Sequence, residues 1–119
     1  MTYRVQTGDL YADSGKWLGS GYSGHGDGVN NVSEAGIPNV GPIPPGCVFD
    51  IGAPGDHIGP LSFPLTLQEG STTRSGFYIH GDNQAHNETA SEGCIVMGPE
   101  IRSQIADLLA LGDNELNTI

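Results

Sequence analysis

The sequence predicts a mainly β, loop-rich domain of short strands with one C-terminal α-helix. Nineteen glycines and eight prolines in 119 residues interrupt the chain too often for long elements. Apolar and polar residues alternate over short runs at 3–6, 47–51, 61–67 and 77–80, the period of strands with one buried face. Only after Met97 does the period lengthen, with Ile101, Ile105, Leu108 and Leu109 recurring at i, i+4, i+7 and i+8 as on one helical face.

In chain order, runs 3–6 and 10–12 flank Thr7-Gly8-Asp9, and Trp17-Leu18 follows Ser14-Gly15-Lys16, so the opening reads as two short hairpins or a meander. Trp17, the only tryptophan, is assigned to the core, with a substrate-stacking platform as the alternative. Residues 19–46 shift to Gly, Asn, Ser and Pro and read as a long ordered loop. It is not a phosphate-binding loop, since no Lys-Ser/Thr follows its glycines and no helical pattern begins there. The Pro42-Ile43-Pro44-Pro45-Gly46 approach leads into a strand at 47–51, on which Cys47 shares a face with Phe49 and Ile51 and is structural. The alternation at 61–67 contains Pro64, which has no N–H to give a ladder, so an edge strand is expected.

Arg74 enters the next strand in phase with Tyr78 and His80. An extended chain would leave it ~20 Å from His80, too far to be its direct partner and suited to structure or to clamping a distant substrate carboxylate. Gly98-Pro99-Glu100 is a helix start and Gly112 a helix stop, which leaves 113–119 as a tail.

The chemistry concentrates in 75–97. His80 ends the strand carrying Phe77 and Ile79, residues 81–90 read as a returning loop, and Cys94 opens a second buried strand, Cys94-Ile95-Val96-Met97. A thiolate needs a base or cation beside it, and a strand-loop-strand unit can bring an imidazole fourteen positions upstream into reach. Gly93 allows close approach of a substrate, and backbone N–H groups at Gly93 and Cys94 are candidates to stabilise an oxyanion. By residue type alone, a small buried Cys and a solvated strand-end His are the commoner reading.

Ile79-His80-Gly81 followed by Ser91-Glu92-Gly93-Cys94-Ile95-Val96-Met97 resembles the His-Gly…Ser/Thr-x-Gly-Cys signature of the L,D-transpeptidase (YkuD-like) catalytic domain. Gly21-Tyr22-Ser23-Gly24, Asn30-Asn31, Asn39-Val40-Gly41-Pro42-Ile43-Pro44, Arg74-Ser75-Gly76-Phe77 and Ser91-Glu92-Gly93-Cys94 are similar to the L,D-transpeptidase effectors that bacteria deliver by type VI secretion. The resemblance covers about 3–106. It implies a single YkuD-like β-sandwich or barrel with long Gly-rich loops over 1–119, with Cys94 as nucleophile and His80 as its base, the two paired as thiolate and imidazolium before attack. Gly81 or Asp82 would orient the ring, and Ser91 and Gly93 would shape the nucleophile turn. Tyr78, Asp82, Arg74 and Tyr22 are assigned to substrate binding. The reaction implied is thioester acyl transfer on peptidoglycan tetrapeptide stems, as carboxypeptidase or transpeptidase at the terminal D-alanine, with neither metal nor cofactor. Glu92 stands where many relatives have a second His, and His86 is a candidate replacement.

Four Lys plus Arg against fourteen Asp plus Glu, a formal charge of −10, argue against nucleic acid or an anionic membrane as partner. No apolar run reaches transmembrane length and no signal peptide is visible, so a chain made in the bacterial cytoplasm and exported by another route to the periplasm or wall of a target cell is expected. A monomer with a cognate immunity protein completes that expectation. Three rivals differ in class. An NlpC-type peptidase places Cys before His and at a helix start. A metal site from His80, His86, Cys94 and His57 or His25 lacks close paired spacing. A non-catalytic phage or plasmid relative would use the scaffold to bind a wall fragment or a protein.

Overall fold

The structure, a computed structural model, describes residues 1–56, 58–82 and 93–119. The sequence assignments to His57, His86, Ser91 and Glu92, and the returning loop from Asn83 onward, lie outside the described residues.

The opening alternation folds as an antiparallel meander of β1 (Thr2–Arg4), β2 (Asp9–Tyr11) and β3 (Trp17–Ser20). Tyr3, Leu10 and Leu18 supply its buried positions. Trp17 does not: it is 56 % exposed and its indole N–H donates to Asp9 Oδ1 at 3.0 Å. Leu18, one position on, takes the inward face, as the two-residue period requires. The Gly-rich span that follows is ordered, with β4 (Tyr22–Ser23) and two 3₁₀ turns, Gly26–Gly28 and Val32–Glu34.

β5 (Val48–Ile51) buries Phe49 and Ile51, with Cys47 beside them. β6 (Phe63–Glu69) pairs β7 (Tyr78–His80) through Phe63 and Pro64, and β5 through Leu65 onward. It is therefore internal, not an edge. Pro64 is tolerated because it lies opposite Gly52, beyond the last residue of β5, where its carbonyl accepts from Gly52 N–H at 2.8 Å.

β7 and β8 (Ile95–Val96) run parallel, with Ile79 opposite Ile95 and His80 opposite Val96. β4 closes on β8 antiparallel. Then α1 (Pro99–Ala110) covers the sheet, buries Ile105 and sets Ile101 over Gly19. It ends in paired bonds, Gly112 N–H to Leu109 C=O and Asp113 N–H to Leu108 C=O, which satisfy the terminal carbonyls.

Residues 113–119 are not a tail. β9 (Glu115–Thr118) slots between β1, to which it is parallel, and β5, to which it is antiparallel, burying Leu116 and Thr118. The Met1 ammonium reinforces that junction, donating to Asp113 Oδ1 at 2.7 Å and Asp13 Oδ1 at 2.8 Å. The nine described strands form one nearly closed, barrel-like sheet in the order β3-β2-β1-β9-β5-β6-β7-β8-β4. Phe49 and Phe77 meet edge to face inside it, their centroids 5.7 Å apart, a geometry that adds about 1 kcal/mol to simple burial. No described helix is long and apolar enough to cross a membrane.

Candidate active site

His80 is set by β7. Ile79 points into the core, so His80 faces the other way, yet it is only 3 % exposed. Its Nδ1 lies 2.7 Å from the carbonyl oxygen of Gly81. A carbonyl only accepts, so Nδ1 carries the proton and Nε2 is the basic nitrogen of the neutral ring. Burial is the main cause that pushes the His80 pKa below 6.5; the Gly81 bond and Asp82 oppose this, while Arg102 adds to it. Burial thus disfavours the imidazolium form that the sequence reading gives His80.

Cys94 immediately precedes β8, one strand over from β7, and is half-buried, with Sγ 3.8 Å from the carbonyl oxygen of Gly76. The peptide before it is fixed: Ser23, fully buried, donates from Oγ to Gly93 C=O at 3.1 Å and accepts from Ile43 N–H at 2.8 Å. Because the peptide unit is planar, holding the Gly93 carbonyl also sets the direction of Cys94 N–H. Gly93 itself has φ +130, and a Cβ there would overlap Arg74 Nη2. The positive φ favours glycine, and any side chain there would also make the end of Arg74 shift.

Arg74 lies elsewhere than the sequence suggests. Residues 74–77 are not part of β7; the chain turns at Gly76, φ +78, and Arg74 is folded back into the cavity that holds His80 and Cys94. The ~20 Å separation assumed an extended chain. Its guanidinium donates to three carbonyls of the Gly-rich loop, Ala35 (2.7 Å), Pro42 (2.8 Å) and Gly41 (3.1 Å), and stacks 5.2 Å above the Phe77 ring. The core thus reaches the site through Phe49, Phe77 and Arg74.

The cavity has a volume of about 530 Å³, within the usual range for small-ligand sites, and Pro38, Asn39, Ile58, Thr73 and Ser75 join those residues in lining it. Tyr78, Tyr22 and Asp82 are not in its lining. Tyr22 lies opposite Val96 rather than Cys94, and its hydroxyl donates to Asp82 Oδ1 at 2.8 Å. Both residues border a separate cavity of about 420 Å³ beside Arg102. Tyr78 sits half-buried opposite Pro64. Gly81 and Gly93 are at the site, the first through its carbonyl, the second as its floor. Among the described residues no group of three His, Cys, Asp or Glu side chains is placed to hold a metal ion.

Two contributors had no assigned role from sequence. Nothing about Ser23 as a residue type marks it out. Arg102 did leave a signal, because a cation in the first turn of a helix opposes the macrodipole. It is held there by Met97 C=O, which accepts from Nε at 3.0 Å, and Pro60 C=O, which accepts from Nη1 at 2.6 Å. Comparison with family models, curated proteins and solved structures yields no match for this chain.

Proposed function

We propose that this chain is a cysteine acyl-transfer enzyme acting on peptidoglycan tetrapeptide stems, as an L,D-carboxypeptidase, an L,D-transpeptidase or both. The observation that carries the reading is that Cys94 and His80 line one substrate-sized cavity, with His80 Nδ1 held on the Gly81 carbonyl. The substrate class rests on the resemblance of the His80-Gly81 and Gly93-Cys94 segments, and of the Tyr22, Asn39 and Arg74 segments, to L,D-transpeptidase effectors. The same resemblance underlies the reading as an antibacterial toxin exported to a target cell and neutralised in its producer by an immunity protein.

The mechanism starts from a neutral imidazole. His80 Nε2 takes the thiol proton as Cys94 Sγ attacks the amide carbonyl, and the imidazolium so formed gives that proton to the departing D-alanine amine, leaving a thioester on Cys94. Water or an amine acceptor, deprotonated by His80, then breaks the thioester and the thiol is restored. Water yields a shortened stem; an amine yields exchange or a cross-link.

The test is mass spectrometry of purified tetrapeptide muropeptides incubated with wild type and with Cys94→Ala, with and without an added D-amino acid. Loss or exchange of terminal D-alanine with wild type alone is expected, and product mass separates the two outcomes. Unchanged muropeptides with folded wild-type protein would overturn the reading and favour a binding role.

A further inference from the structure

The Gly-rich span ends in an arm, residues 35–42, that brings Pro38 and Asn39 to the cavity of Cys94 and His80. The arm is firmly held. Arg74 donates to Ala35 C=O on one side of Asn39 and to Gly41 and Pro42 C=O on the other. Gly41 N–H closes the loop on Ile37 C=O at 2.9 Å, and His25 N–H ties it back through Val40 C=O at 2.8 Å. Two glycines allow this packing by close approach: a Cβ on Gly28 would overlap the Val40 carbonyl, and one on Gly41 the Glu34 carbonyl. At the tip Asn39 has φ +64, a left-handed conformation that Gly and Asn adopt most readily. The backbone therefore accounts for Gly or Asn at 39 but not for the choice between them. Asn in such turns commonly bonds its carboxamide to nearby main chain; among the described residues Asn39 makes no such bond, and it is exposed where it lines the cavity.

We infer that residues 35–42 are a substrate-recognition arm and that Asn39 is its contact residue, the carboxamide hydrogen-bonding a main-chain amide of a peptide bound in the cavity of Cys94 and His80. A carboxamide presents an acceptor and a donor side by side in one plane, so it can accept from a peptide N–H while donating to a peptide C=O. Thr73 and Ser75, in the same lining, add hydroxyls, and Pro38, Ile58 and Phe77 supply apolar wall. That mixture suits a site that orients its ligand through a few polar contacts. The arm is fixed before the ligand arrives, so little ordering cost is added on binding. This role deepens the acyl-transfer reading and rests on it for the peptide class of the ligand.

Asn39→Gly is the decisive variant, because glycine accepts the left-handed backbone and only the side chain is lost. Asn39→Asp, which keeps the size and an acceptor but loses the donor, is the second, and urea midpoints report whether both fold. With tetrapeptide muropeptides, Asn39→Gly is expected to raise KM for D-alanine release or exchange about tenfold while kcat stays within about threefold, and Asn39→Asp to raise KM at least as far. Binding is read separately by NMR titration of the purified tetrapeptide stem into Cys94→Ala and into the Cys94→Ala, Asn39→Gly double variant. The Asn39 side-chain NH₂ signals should shift as the first protein saturates, and the second should bind about tenfold more weakly. Equal KM for wild type and Asn39→Gly overturns the inference and leaves the acyl-transfer reading standing; equal binding by the two Cys94→Ala proteins does the same. If wild type leaves muropeptides unchanged, the acyl-transfer reading fails by itself and the titration decides on Asn39: shifted NH₂ signals with weaker binding by the double variant uphold it, and an absence of saturable binding overturns it. If Asn39→Gly does not fold, Asn39→Asp and the NH₂ signals decide in its place.

Discussion

Cys47 and Cys94 have nearly the same local sequence and very different surroundings. Each follows a glycine with positive φ, Gly46 at +78 and Gly93 at +130, and each stands one position before a strand that begins with a β-branched residue. Cys47 is 2 % exposed; its N–H donates to Thr118 Oγ1 at 3.0 Å and its sulfur lies against Pro45 and Gly70, with no titratable group among these neighbours. Cys94 opens onto a cavity shared with Arg74 and His80. The local pattern makes a strand start in both cases. What separates a buried thiol from a candidate nucleophile is what arrives from elsewhere: β9 covers the first, whereas β7 and the backfolded Arg74 equip the second.

The largest expected effect tests that division directly. Cys94→Ala should reduce D-alanine release or exchange by on the order of 10³-fold or more, because no other described thiol shares the cavity. Cys47→Ala should retain turnover and instead lower unfolding free energy by about 1 kcal/mol, the ordinary cost of removing buried atoms. Muropeptide mass spectrometry and urea denaturation of both variants make the comparison. Equal turnover in the two would remove the distinction between the cysteines.

The preceding glycines give the next contrast. Gly93→Ala meets both a disfavoured φ and Arg74 Nη2, whereas Gly46→Ala meets the φ alone, with open space where the methyl would go. Gly46→Ala should therefore cost about 1 kcal/mol and leave turnover intact. Gly93→Ala should cost about 2–3 kcal/mol and reduce turnover ~100-fold, since Arg74 or the Cys94 backbone must move. Denaturation midpoints together with initial rates separate the two cases. A Gly93→Ala variant with wild-type turnover would mean that Arg74 can shift without consequence.

Much of the scaffold was legible because it is governed by local periods. The meander, the strand carrying Phe49 and Ile51, and the helix bounded by Pro99 and Gly112 follow from alternation, helical spacing and terminal signals. The misreadings arise where a partner distant in the chain decides. Glu115-Leu116-Asn117-Thr118 carries one large apolar side chain and reads as a tail until β1 and β5 provide the slot it fills. Trp17 looks like core by residue type, but its register on β3 gives that place to Leu18. Of the site, that Cys94 and His80 share one cavity was legible from residue type and order. The position of Arg74 was not, because one turn at Gly76 replaces an extended run and the acceptors described for its guanidinium are main-chain atoms, which leave no residue-type signal. The register that pairs Tyr22 with Asp82 was likewise not legible.

The smallest effect concerns acid. Folding lowers the His80 pKa below 6.5 chiefly by burial, so just below that pH the unfolded chain binds a proton that the folded chain does not. With more protons bound unfolded than folded, unfolding free energy rises with pH through this window, and the contribution is lost as pH falls from about 6.5 toward the lowered folded value. One such proton contributes at most ~1.4 kcal/mol per pH unit. His80→Gln removes it, so the drop in wild-type stability between pH 7.5 and 5.5 should exceed that of the variant, as read from urea midpoints in matched buffers. The comparison with Cys47→Ala sharpens the result, because Thr118, Gly70 and Pro45 do not titrate and that variant should keep the full wild-type slope. Parallel slopes for wild type and His80→Gln would mean that His80 takes up its proton as readily folded as unfolded. Its burial would then have failed to disfavour the charged ring, and a resting thiolate–imidazolium pair of Cys94 and His80 would be favoured.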